Sequence, residues 1–144
     1  MQWARAFGPI ASPADVYRLL GESASREDRE IAYVVLLDVH GYCRGVGKVA
    51  TGSRDHVAVD LPDVLRYAVV AGARYLVLVH NHPSGSAVPS DDDAALTQSV
   101  ERAAYETGLL LLDHVVLGSR EWFSFRERAL FRLDKAGQVV RLAA

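Results

Sequence analysis

Apolar residues in this chain gather into short dense runs, separated by polar breaks marked with glycine and proline. That pattern predicts alternating strands and helices rather than one long periodic element. Ser12-Pro13-Ala14-Asp15 predicts a helix start, with Ser12 as cap and Pro13 at the first helical position. The helix is expected to run to about Leu20 and to stop at Gly21. After the charged turn Ser23–Arg29, the stretch Glu30–Asp38 is dense in Ile, Tyr, Val and Leu and predicts a buried strand. His40-Gly41 makes a turn, Tyr42–Thr51 returns as a second strand, and a short third strand is expected around His56–Val59.

Asp60-Leu61-Pro62-Asp63 opens a helix through about Ala71, closed by Gly72. Arg74–Val79 predicts an apolar strand, and Asn81–Pro89, rich in Pro, Ser and Gly, a loop. Ser90 and the three aspartates after it cap a helix to about Glu106. Leu109–Leu117 and Trp122–Phe125 predict two further strands, and the tail Glu127–Ala144 reads as ambiguous, open to partial disorder. The alternation implies a two- or three-layer α/β sandwich around a mixed sheet.

The remaining numbers narrow this picture. The chain has 144 residues, enough for one domain that buries roughly two thirds of its unfolded surface. No apolar run approaches the ~20 residues needed to span a bilayer, and Met1-Gln2-Trp3-Ala4-Arg5 lacks the order of a signal peptide. A lone cysteine, Cys43, reads as a small buried residue and makes a reducing cytoplasm the default. The formal net charge is −2, and the arginines are scattered among acids. Both features count against nucleic-acid binding through this domain alone.

The stretch that carries chemistry is His80-Asn81-His82-Pro83, followed by Ser90 and Asp93. Two histidines at i and i+2, where a strand leaves the sheet, point to the same side. Asp93 falls in the first turn of the following helix, so its carboxylate can swing back over the loop. Two imidazoles and one carboxylate leave a fourth tetrahedral position open, the arrangement of catalytic zinc. Acidic residues in a first helical turn also simply complement the helix dipole, and Asp91, Asp92 and Asp93 suit that role too. His40 and His56 lie in turns without ligand spacing and read as surface residues.

His-x-His-Pro, six residues, Ser, two residues, Asp resembles the signature of the JAMM metalloproteases. Asn81-His82-Pro83-Ser84-Gly85, Leu111-Leu112-Asp113-His114-Val115-Val116-Leu117-Gly118 and Ser124-Phe125 resemble the RadC branch of that superfamily. The resemblance covers about residues 12 to 130. It implies a cytidine-deaminase-like/MPN sandwich and one domain over residues 1–144, without the N-terminal helix-hairpin-helix region common in RadC proteins. It further implies one zinc ion held by His80, His82 and Asp93, with an upstream glutamate as general base. Glu30, at the start of a strand, is the best match; Glu22, Glu27 and Asp63 are reserves. Ser90 resembles the family serine that donates to a developing oxyanion, and it equally reads as a helix N-cap.

The implied activity is hydrolysis of peptide or isopeptide bonds, Glu30 accepting the water proton and returning it to the departing amine. A non-catalytic accessory module in DNA repair or DNA metabolism is the alternative. Asp113 and His114 match the RadC pattern on a later strand. They serve either the site or the sheet.

Overall fold

The computed structural model describes residues 8–54 and 57–142. Its elements are α1 (Pro13–Ser25), β1 (Ile31–Leu37), β2 (Cys43–Thr51), α2 (Leu61–Ala71), β3 (Tyr75–Asn81), α3 (Asp91–Glu106), β4 (Leu110–Leu117), β5 (Glu121–Ser124), β6 (Ala129–Leu133) and β7 (Val139–Arg141). The strands form one sheet in the order β2-β1-β3-β4-β5-β6-β7. Neighbours pair antiparallel except β3 and β4, which run parallel because α3 carries the chain back between them.

The central strands are buried on both faces, which is why β1 and β3 are continuous apolar runs rather than alternating ones. On one face Val16, Leu20 and Ala24 of α1 pack on Tyr33, Val35, Val77, Val79, Val115 and Trp122. On the other, Val64, Ala68 and Ala71 of α2 and Ala104 of α3 pack on Ala32, Val34, Leu36 and Leu76. The architecture is therefore a three-layer α/β/α sandwich with a mixed sheet. No described helix is long and apolar enough to cross a membrane.

Several local expectations need correction. Helix α1 does not stop at Gly21 but continues to Ser25. Gly21 is a contact position: a Cβ there would sit 3.0 Å from the Tyr17 ring, which itself stacks on Trp122. By contrast Gly72 does end α2, in the left-handed conformation at φ 64°. Strand β3 runs on through His80 and Asn81 instead of ending at Val79. Residues 57–60 form no strand, and positions 55 and 56, including His56, lie outside the described residues. The ambiguous tail is largely strand: β6 pairs with β5, and β7 with β6. Its few buried side chains (Ala129 is one) left little amphipathic signal in the sequence.

One irregularity matters for the site. The β3–β4 register shifts between Leu76 and Val77, pairing Leu76 with Leu111 but Val77 with Asp113. Leu112 is the extra residue of this bulge. As a result Leu111 and His114, three positions apart, both face the α2–α3 layer.

Candidate metal centre

Four side chains meet where β1 begins and β3 ends, beside the first turn of α3. Strand alternation puts His80 on the α3 side, fully buried. His82 follows just beyond β3, where its backbone N–H still bonds the Leu117 carbonyl at 2.9 Å. Ser90 and Asp93 form a reciprocal capping box. The Ser90 hydroxyl accepts from the Asp93 N–H (3.1 Å), and the Asp93 carboxylate accepts from the Ser90 N–H (2.8 Å). This fixes Asp93 over the loop, 7% exposed. Glu30 precedes β1 and is 4% exposed, its backbone bonded to Gly52 and Ser53.

The distances close a compact group. Nε2 of His80 lies 3.0 Å from Asp93 Oδ1, and Nε2 of His82 lies 3.1 Å from Asp93 Oδ2. The two Nε2 atoms are 3.1 Å apart, and His82 Nε2 is 3.6 Å from Glu30 Oε1. Glu30, His80 and His82 each offer a ligand atom, all within 4.8 Å of one another, so the group could hold a metal ion.

Protonation supports the same reading. His82 donates Nδ1–H to the Ser86 carbonyl at 2.9 Å, since a carbonyl can only accept. A neutral His82 then turns a bare Nε2 lone pair toward His80 and Asp93. Acceptors facing acceptors at these distances need a cation between them, either a proton or a metal. Two imidazoles and two carboxyl groups gathered in a buried pocket form a donor set that suits a divalent ion. Without metal, burial pulls the His82 pKa down, but the Asp93 hydrogen bond and charge outweigh it, with Ser86 and Glu30 adding, so the net shift is upward. In the same metal-free state, where the ring Nε2 atoms carry protons, burial would raise Asp93, yet hydrogen bonds from His80 and His82 hold it far below the usual carboxylate range.

The structure separates Asp113 from His114. His114 enters the centre, its Nε2 2.8 Å from His80 Nδ1. Burial, with the charge of His80 adding to it, holds its pKa well below the ordinary value. Asp113 faces the opposite side of the sheet, near Ile10 and Pro13. It accepts from Ser124 (2.6 Å) and from the N–H groups of His114 (2.7 Å) and Arg126 (3.0 Å). The reserve acids are not brought in. Glu22 pairs with Arg26, Glu27 with Lys48 and Asp63 with Arg66. His40 is exposed. Two contributors went unrecognised in the sequence. Asn81, inside the motif, bonds the chain on both sides of Glu30. Thr97, one turn after Asp93, reaches His114 at 2.6 Å.

An α/β/α sandwich with two histidines and two carboxylates gathered at one end of its central strands defines a candidate metal-binding domain. The chain belongs to the RadC-like JAB domain family, whose model matches residues 10–130. A UPF0758 protein of Carboxydothermus hydrogenoformans (strain ATCC BAA-161 / DSM 6008 / Z-2901) is 35% identical over 120 residues. That match covers 83% of this chain and 53% of the relative, so the chain spans about half the relative's length.

Proposed function

We propose that this domain hydrolyses peptide or isopeptide bonds, using zinc held by His80, His82 and Asp93 and Glu30 as general base. The observation that carries the reading is the convergence of His80 Nε2, His82 Nε2 and the Asp93 carboxylate within 3.1 Å of one another, with Glu30 beside them. Zinc in such a site supplies a Lewis acid and brings water into ionisation range, from about 16 to roughly 7.

The chain's own residues account for the rest. Glu30 takes the proton of the attacking water and passes it to the departing amine. Its near-complete burial keeps that carboxylate from being swamped by solvent. Ser90 fixes Asp93 through its oxygen, which leaves its hydroxyl hydrogen to donate toward a developing oxyanion. A groove of about 290 Å³ opens beside His82, lined also by Ser25, Glu27, Ser84 and Gly118, and offers space for an extended peptide. The lone buried thiol of Cys43 suits a reducing cytoplasm.

The test is zinc content by elemental analysis, followed by turnover on peptide and isopeptide panels. One zinc per chain is expected, lost in His82→Ala; Glu30→Gln is expected to keep the zinc and lose hydrolysis. Zinc retained by His82→Ala refutes the ligand set. Zinc uptake with no hydrolysis across the panels moves the domain to a non-catalytic role in DNA metabolism.

A further inference from the structure

His80 presents two ring nitrogens to two different environments. Nε2 faces His82 and Asp93, while Nδ1 points into the protein toward His114. Only a tautomer with its proton on Nδ1 leaves Nε2 free as an acceptor. We infer that His114 and Thr97 are positioning residues of this centre, which together hold the His80 proton on Nδ1. The inference rests on the metal reading above and extends it inward.

The direction of each bond follows from counting protons. The Thr97 hydroxyl has one, and donates it to the Asp93 carbonyl one helical turn back, at 2.8 Å. Toward His114 the Thr97 oxygen therefore accepts, and the 2.6 Å contact is Nδ1–H of His114 donating to it. His114 is fully buried, with Phe125 stacked on its ring at 4.9 Å, and an imidazolium there would be poorly solvated. A neutral His114 has only one N–H. Its Nε2 is then an acceptor and receives Nδ1–H of His80 at 2.8 Å. The chain of bonds ends with a bare His80 Nε2 in the site.

Two features of the fold aim this relay. The bulge at Leu112 turns His114 toward α3. Asp93 and Thr97 sit four residues apart on one face of that helix, so the same turn supplies a ligand and the anchor of the relay. Outer partners of this kind typically change metal affinity by roughly 10–100-fold when removed.

The experiment measures zinc affinity by chelator competition for the intact chain and for Thr97→Val, Thr97→Ser and His114→Phe. In parallel, nitrogen-15 NMR of the zinc-loaded wild type reports the histidine tautomers. Thr97→Val and His114→Phe should bind zinc roughly 10–100-fold more weakly, and Thr97→Ser should stay close to wild type. The His114 proton should lie on Nδ1, a readout that needs no variant to fold. Wild-type affinity in both disruptive variants, or a His114 proton on Nε2, overturns the inference while leaving the metal centre standing. A wild-type chain that takes up no zinc removes the metal centre itself, and this inference with it.

Discussion

Asn81 holds Glu30 by the peptide groups on either side of it. The Asn81 carboxamide donates to the Arg29 carbonyl at 2.9 Å and accepts from the Ile31 N–H at 2.7 Å. The β1–β3 pairing ends at Ala32 opposite His80, and the side chain takes over where the backbone ladder stops. One residue between the two histidines thus ties their strand to the proposed base. Asn81→Ala would leave a buried N–H without its partner, at a cost of about 1–3 kcal/mol. Urea unfolding should show that loss, and hydrolysis should fall while zinc content stays at the wild-type level. Full activity in a destabilised Asn81→Ala protein would show that Glu30 is placed without it.

The His82–Asp93 contact should make the metal-free protein and the proposed zinc-loaded form respond oppositely to pH. The folded-state pKa of His82 is raised above its ordinary 6.5. Its contribution is therefore fully present below pH 6.5 and is lost as pH rises through the folded value. Asp93 is lowered from 3.8, so its contribution is present above pH 3.8 and lost only at far lower pH. The metal-free protein should accordingly gain most from this pair between those limits, and lose stability as the solution turns alkaline. Zinc must displace the His82 proton, so zinc affinity should rise over the same alkaline interval. Thermal unfolding across pH, with and without zinc, checks both slopes. His82→Ala should flatten both.

Asp113 is predicted to matter for stability and not for the metal. Its carboxylate collects three hydrogen bonds, two of which fasten the middle of β4 to Ser124 and Arg126. Burial raises its pKa, and those three bonds pull against that shift. Asp113→Ala should destabilise the fold by on the order of 3 kcal/mol yet keep one zinc per folded chain. Loss of zinc from protein that remains folded would place Asp113 in the centre after all.

The proposed site was legible because it is local. His80, His82, Ser90 and Asp93 fall within one strand end, loop and helix start, where period and capping rules reach. Most strands and all three helices were readable for the same reason. Asn81 and Thr97 were not, and His114 stayed open between the site and the sheet, because each acts on a partner distant in sequence. His114 faces α3 only through a bulge that no alternation rule places, and Asn81 acts on a segment fifty positions earlier in sequence. The helix stop assigned to Gly21 failed because that glycine makes room for the Tyr17 ring one helical turn earlier, where the ring stacks on Trp122, and makes no turn. The β6–β7 hairpin escaped notice because β7 is exposed throughout and carries no inside–outside pattern.

Gly118 packs against the loop that follows His82. A Cβ at this position would overlap the Gly85 carbonyl oxygen and the Ala87 nitrogen, both backbone atoms that cannot rotate aside. The two segments are stitched there by Ser119 N–H to the Gly85 carbonyl (2.7 Å) and by Ala87 N–H to Glu121 (3.0 Å). Between Gly85 and Ala87 lies Ser86, whose carbonyl takes the Nδ1–H of His82 and so sets which nitrogen faces the site. Pushing the loop away from Gly118 therefore moves the His82 partner. Gly118→Ala should cost about 1–3 kcal/mol as an overpacked contact and weaken zinc binding by roughly 10-fold or more. Chelator competition and urea unfolding of the one variant separate the two effects. A destabilised protein with wild-type zinc affinity would mean that the Ser86 carbonyl follows His82 wherever the loop goes.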